Sequence, residues 1–193
     1  MTTRLILASS SPYRAALLSK LGLTFEQHAP NIDETSLPSE APAALVARLA
    51  EAKARAVAAQ HPDALIIASD QIAVLGDSML GKPGNHAAAV QQLRNASGNE
   101  VVFFTALALF NSASDRLHLD VEPFTVQFRT LSPAQIDNYL RIERPYDCAG
   151  AFKSEGLGIA LFNRLSGDDP NSLIGLPLIR LIRMLEQEDI FVI

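Results

Sequence analysis

Tryptophan is absent from this chain, and cysteine occurs once, at Cys148. A lone cysteine closes no intramolecular disulfide and supplies no zinc-type cluster, so it fits a reducing compartment. Basic residues are outnumbered, with 16 Lys and Arg against 21 Asp and Glu and a formal net charge of −5 over 193 residues. Affinity for duplex nucleic acid comes mostly from Lys and Arg neutralising phosphates, so this balance argues against a broad nucleic-acid surface and leaves room only for a local basic pocket. Glycine (10) and proline (11) are modest, and 48% of the residues are hydrophobic against 19% charged, which excludes a disordered, collagen-like or low-complexity chain. Long apolar runs are lacking too. Val101 to Phe110 is interrupted by Thr105 and falls well short of the roughly 20 residues a membrane helix needs. Met1-Thr2-Thr3-Arg4 leads into an apolar run too short for a secretory signal. These absences predict a soluble, cytoplasmic protein whose residues 1–193 form one domain of two lobes with no separable linker.

The patterns that are present alternate between strand and helix. Leu5 to Ala8 is a short apolar run ending at Ser9-Ser10-Ser11-Pro12, and Arg14 to Leu21 then has helical spacing up to Gly22. Phe25 to His28 predicts a strand, Asn31 to Glu40 an exposed acidic loop, and Pro42 to Gln60 a helix. Ala64 to Ala68 reads as a strand ending at Ser69-Asp70-Gln71, with Ile72 to Leu75 resuming before a turn at Gly76-Asp77. Further along, the spacing predicts a helix over His86 to Asn95 and a hairpin from Val101–Phe110 and Leu117–Arg129. Ser132-Pro133 opens another helix, Gly156 to Phe162 reads as a strand, and Pro177 to Gln187 as a terminal amphipathic helix. The fold class is therefore α/β.

Charged residues recur where apolar runs end, which is where an α/β sheet places its ligand crevice. Arg14, Glu34, Lys53, Asp70, Lys82 and Glu155 stand out on that ground. The serine loop and the helix after it offer hydroxyls and unpaired N–H groups to an anion, with Arg14 able to clamp a phosphate oxygen. Asp70 directly follows an apolar strand and suits a general base or a hard-cation ligand. Lys82, on the stiffened turn Gly81-Lys82-Pro83, suits phosphate charge. Taken singly, each also has a plainer account that local sequence favours: a capped helix with a solvated arginine, a turn aspartate, a loop lysine, and for Lys53 an exposed lysine paired along its helix. His28, His61, His86 and His118 lack zinc spacing and read as surface or packing residues. Cys148 reads as a small buried residue rather than a nucleophile. Gly156-Leu157-Gly158 is only a fragment of a dinucleotide fingerprint, and there is no Walker loop.

Taken together and in order, several segments resemble the Maf family of nucleoside triphosphate pyrophosphatases. They are Leu7-Ala8-Ser9-Ser10-Ser11-Pro12-Tyr13-Arg14, Asp33-Glu34, Arg48-Leu49-Ala50 with Lys53-Ala54, Ser69-Asp70-Gln71, Gly81-Lys82-Pro83, Cys148-Ala149-Gly150 through Glu155-Gly156, and Gly175-Leu176-Pro177-Leu178. The resemblance spans nearly the whole chain. It implies a fold similar to that of the inosine triphosphatases, an elongated, two-lobed mixed sheet flanked by helices with a central cleft. It implies hydrolysis of a nucleoside triphosphate between its α- and β-phosphates, aided by a divalent metal, Mg²⁺ or Mn²⁺. Asp70 would be the proton acceptor, Glu34 and Asp70 the metal carboxylates, and Ser9, Arg14, Lys53 and Lys82 the phosphate-binding residues. A homodimer acting on free nucleotide, with no nucleic-acid or membrane partner, is the expected assembly.

Three positions vary with the base within the family, and here they read Tyr13, Gln71 and Glu155. An aromatic first residue, with Ser-Asp-Gln and Lys-Ser-Glu, looks like the branch acting on 7-methyl-GTP, whereas the dTTP/UTP branch carries arginine first. The 7-methyl-GTP branch often has tryptophan there; tyrosine keeps the ring with less area. A cationic methylated guanine suits stacking on an electron-rich ring and pairing with a carboxylate. The alternatives are a Maf enzyme for dTTP, UTP or another non-standard nucleotide, and a nucleotide-binding regulator of cell division.

Overall fold

The computed structural model describes residues 4–193; Met1 to Thr3, on which the leader argument partly rests, lie outside the described residues. The chain begins with β1 (Arg4–Ala8), α1 (Pro12–Ser19), β2 (Glu26–His28), α2 (Pro42–Ala58), β3 (Ala64–Leu75), β4 (Ser78–Leu80) and α3 (His86–Ala96). It continues through β5 (Glu100–Asn111), β6 (Arg116–Phe128), α4 (Pro133–Glu143), two 3₁₀ turns (Ala149–Ala151 and Leu157–Leu161), β7 (Phe162–Ser166), α5 (Pro170–Ile174) and α6 (Leu178–Glu186). The strands form one seven-stranded mixed sheet in the order β2-β1-β3-β5-β6-β7, with β4 beside β3. β1 runs parallel to both β2 and β3, while β6 and β7 are antiparallel. No helix among the described residues is long and apolar enough to cross a membrane.

Of the described residues, one compact unit takes those through Asp70 together with Thr105–Glu122 and Asp169–Ile193, and the other takes Gln71–Phe104 and Pro123–Asp168. The first unit packs α1 and α6 over the sheet through leucines. Leu7, Leu18, Ile67, Leu107, Leu181 and Leu185 are fully buried in one cluster, each such side chain worth about 1.5–3 kcal/mol of burial. The second unit is centred on Phe103, Phe128, Phe152 and Phe162, whose rings meet edge to face with centroids 4.8–5.7 Å apart, the arrangement their quadrupoles favour.

Local chemistry sets the element ends. Ser11 caps α1, its hydroxyl accepting from the Arg14 N–H with Pro12 in the first turn, and Ser132 and Gln135 form a reciprocal capping box on α4. β5 and β6 are neighbours, joined by a turn in which Asn111 Oδ1 accepts from the N–H groups of Ala113 and Ser114.

Two expectations need correction. Gly156 to Phe162 is not a strand: the N–H groups of Gly156 and Gly158 both donate to the Lys153 carbonyl at 3.3 and 3.1 Å, which folds the segment into a 3₁₀ turn, and pairing begins only at Phe162, opposite Phe128. β3 also does not break at Ser69-Asp70-Gln71 but runs unbroken to Leu75, because polar side chains interrupt an apolar pattern without altering extended backbone.

Candidate active site

In the first unit, β1 and β3 run parallel with Leu7 opposite Ile67. This register brings the chain beyond β1, with Ser9, and the later part of β3, with Ser69 and Asp70, to the same end of the paired strands, the usual ligand edge of a parallel sheet. Ser9 is buried; its hydroxyl accepts from the Ser11 N–H at 3.1 Å and its carbonyl from Gln27 Nε2 at 2.8 Å, so the serine loop is held taut ahead of α1.

Lys53 projects from the buried face of α2, which also carries Val46, Leu49, Ala50, Ala54 and Val57. It is 5% exposed, not the surface lysine that its helical neighbours suggest; Glu51 instead pairs with Arg55 at 2.7 Å. A buried ammonium needs opposite charge and hydrogen bonds to be tolerated. Lys53 Nζ has both, donating to Asp70 Oδ1 at 2.6 Å and lying 2.8 Å from Glu34 Oε1. Burial pushes the Asp70 carboxyl above the usual aspartate range, opposed by Lys53 and Arg14 and reinforced by the Glu34 charge. An aspartate so poised is a better proton acceptor than a solvated one.

Arg14 reaches from α1 to the main-chain carbonyl of Gly175, with Nε 2.9 Å from that oxygen. Burial works against its charge, which Asp70 and Glu34 favour. Glu34 lies on the acidic loop, which is strapped to α2. Arg48 donates from Nε and Nη2 to the two oxygens of Glu40 at 2.6 and 2.7 Å and from Nη2 to the Thr35 carbonyl at 3.1 Å, while Asp33 Oδ1 accepts from the Thr35 N–H at 2.9 Å.

The structure thus brings Arg14, Glu34, Lys53 and Asp70 into one electrostatic group, with Ser9 at the same strand edge. Tyr13 is on α1 in the same unit. Gln71, Lys82 and Glu155 belong to the second unit. There Lys82 is exposed on a turn pinned by Gln92 Nε2 donating to the Gly81 carbonyl at 3.0 Å and by the Gly84 N–H donating to the Tyr146 carbonyl at 2.9 Å. Glu155 is exposed, and its Oε2 accepts from Ser154 Oγ at 3.4 Å.

The remaining candidates have local roles. Burial pushes the Cys148 thiol up to about 12, leaving negligible thiolate at neutral pH. His86 bonds Tyr146 and Asp137, His118 bonds Glu188, and His28 and His61 touch edge to face. Sequence reasoning gave no role to Ser69, Gly175 or Arg48, although all three fall inside the motifs quoted for the family. Ser69 is fully buried and donates to the Gly175 carbonyl at 2.8 Å; period-2 alternation in β3, which sends adjacent side chains to opposite faces, was the available signal.

The donor set also bears on a divalent cation. Glu34 and Asp70 both approach Lys53 Nζ, so two carboxylates already share the neighbourhood of one positive charge. Among the described residues no group of three or more His, Cys, Asp and Glu is arranged to hold a metal. Were a divalent cation to bind here, Glu34 and Asp70 are the carboxylates that would hold it, and oxygen donors of that kind suit Mg²⁺ or Mn²⁺.

The chain is similar over most of its length to known proteins. The chain is 63% identical over 183 residues to a 7-methyl-GTP pyrophosphatase of Nitrosococcus oceani, covering 95% of this chain and 92% of that one. Among solved structures it is similar to the Ham1 protein of Staphylococcus aureus, with a TM-score of 0.57, and to a HAM1 protein from Coxiella burnetii, with a TM-score of 0.54. Each is 14% identical, with 96% of this chain and 100% of the other covered, so the likeness is one of fold. A profile described as Maf-like protein matches residues 4–188, and with it the chain belongs to the Maf family.

Proposed function

We propose that this protein hydrolyses 7-methyl-GTP at the α-β phosphoanhydride, releasing 7-methyl-GMP and pyrophosphate and so clearing a modified nucleotide. The observation that carries the reading is the buried Lys53 held between Asp70 and Glu34, in a chain 63% identical to a protein of that name. Phosphoryl chemistry depends mainly on positioning and charge neutralisation. Arg14, Lys53 and Lys82 neutralise the triphosphate, and the taut Ser9 loop presents hydrogen-bonding groups to it. Asp70 takes the proton of the attacking water as its oxygen bonds to the α-phosphorus; the bond from that phosphorus to the bridging oxygen breaks, and pyrophosphate leaves with the bond's electrons. Glu34 and Asp70 would hold Mg²⁺ or Mn²⁺, which supplies further neutralisation of phosphate charge. Tyr13 stacks on the cationic base, Glu155 accepts its N1–H and amino hydrogens, and Gln71 adds to base selection. The enzyme acts in the cytoplasm as a homodimer on free nucleotide.

The test is pyrophosphate release with Mg²⁺ or Mn²⁺ across 7-methyl-GTP, GTP, dTTP, UTP, CTP and ITP, with Asp70→Asn as control. The expected result is a strong preference for 7-methyl-GTP that disappears in the variant. Preference for dTTP or UTP overturns the base assignment, and no release from any substrate returns weight to a nucleotide-binding role.

A further inference from the structure

The turn that bears Glu155 is fastened to α4 by a residue with no role so far. Glu143 is the last residue of α4, and its side chain is 19% exposed. A carboxylate there faces the negative end of the helix dipole, an unfavourable place for it. The charge is nonetheless used. Glu143 Oε2 accepts from the Leu157 N–H at 2.9 Å, and Lys153 Nζ donates to the Glu143 main-chain carbonyl at 3.3 Å and lies 3.8 Å from Glu143 Oε1. One turn earlier on the same helix, Tyr139 Oη accepts from the Lys153 N–H at 3.1 Å. Both flanks of Glu155 are thus tied to α4, before it through Lys153 and after it through Leu157.

The turn leaves no room for a side chain at Gly158. A Cβ at Gly156 would lie 2.8 Å from Glu143 Oε2, and one at Gly158 would lie 2.3 Å from the Lys153 carbonyl oxygen. Glu155 itself is exposed within this turn. A carboxylate that must meet two donors on a flat base gains selectivity when its backbone is already fixed, since the ordering cost is not paid on binding.

We infer that Glu143 is a positioning residue for base selection, holding the Glu155 turn so that selectivity for 7-methyl-GTP depends on it although it does not touch the base. This inference rests on the reading of Glu155 as the base-pairing carboxylate. The experiment measures the ratio of kcat/KM for 7-methyl-GTP to that for UTP in the full-length wild type and in Glu143→Ala, Glu143→Gln, Tyr139→Phe and Glu155→Ala. Glu155→Ala is expected to lower the ratio by about a hundredfold and Glu143→Ala by about tenfold. Glu143→Gln, whose amide oxygen still accepts from Leu157, is expected to recover most of that loss, and UTP turnover of the Glu143 and Tyr139 variants to stay within about twofold. A Glu143→Ala protein that loses rate equally on both substrates, with the ratio intact while Glu155→Ala lowers it, overturns the positioning role. A ratio unmoved by Glu155→Ala overturns the base reading itself, and the inference with it. Should Glu143→Ala not fold, Tyr139→Phe decides in the same way: a lowered ratio supports the fastened turn, an intact one overturns it.

Discussion

Arg14 is anchored to Gly175 across most of the chain's length: its Nε donates to the Gly175 carbonyl at 2.9 Å, and the same oxygen accepts from Ser69 Oγ at 2.8 Å. One backbone carbonyl therefore aligns the guanidinium and grips β3 one residue before Asp70. The carbonyl is available because Gly175 ends α5 with φ at +122°, a conformation that side chains rarely adopt.

Gly175→Ala is expected to lower stability by about 1–3 kcal/mol, since the backbone is strained for alanine and the new Cβ would meet Arg14 Nε at 3.3 Å. Ser69→Ala removes one of the two bonds and is expected to cost about 1 kcal/mol. Both should raise KM for the triphosphate more than they lower kcat. Urea titration and steady-state kinetics read the two effects separately.

Asp70→Asn should keep nucleotide binding and lose turnover by about a hundredfold or more, because an amide cannot take the proton from water. Single-turnover assays paired with equilibrium binding of 7-methyl-GTP check this; near-normal rates would contradict the role given to Asp70.

Lys53→Met should be costly by about 3–5 kcal/mol, since it leaves the Asp70 carboxylate in a poorly solvated place without its closest cation. Adding Asp70→Asn should return part of that stability, because the stranded charge is then gone. Denaturant midpoints of the two single variants and the double variant measure the coupling.

The Arg48–Glu40 pair sets an acid-range prediction. The Arg48 guanidinium, aided by the Leu37 N–H, holds the Glu40 carboxyl down at about 2. A depressed folded-state value means the stabilisation is complete above about pH 4.5, the ordinary glutamate value, and is lost as pH falls toward 2. Carbon-detected NMR titration should place Glu40 near 2 in the wild type, and Arg48→Ala should return it toward 4.5. The same variant frees the loop carrying Glu34, so activity should fall.

Helices with a proline or serine start and an apolar stripe were legible at their first residues, as α2 at Pro42 and α4 at Pro133 show. The strand expected over Gly156 to Phe162 was misread because two glycines beside apolar residues fit either an extended strand or a tight turn, and the choice fell to hydrogen bonds with Lys153, which no local pattern reports. β4 and α5 went unread because three and five residues hold too little periodicity to stand out.

By itself, the sequence determined the class of the fold, the order of the main elements and the polar residues that fall where apolar runs end, since these follow from periodicity and capping, which are local. Only the tertiary structure decided that Lys53 is buried between Glu34 and Asp70, that Ser69 and Arg14 share the Gly175 carbonyl, and that Glu143 fastens the Glu155 turn. Those relationships join residues far apart in the chain or across a turn, and they depend on the cost of leaving a buried charge or N–H without a partner, which is set by packing rather than by neighbours in sequence.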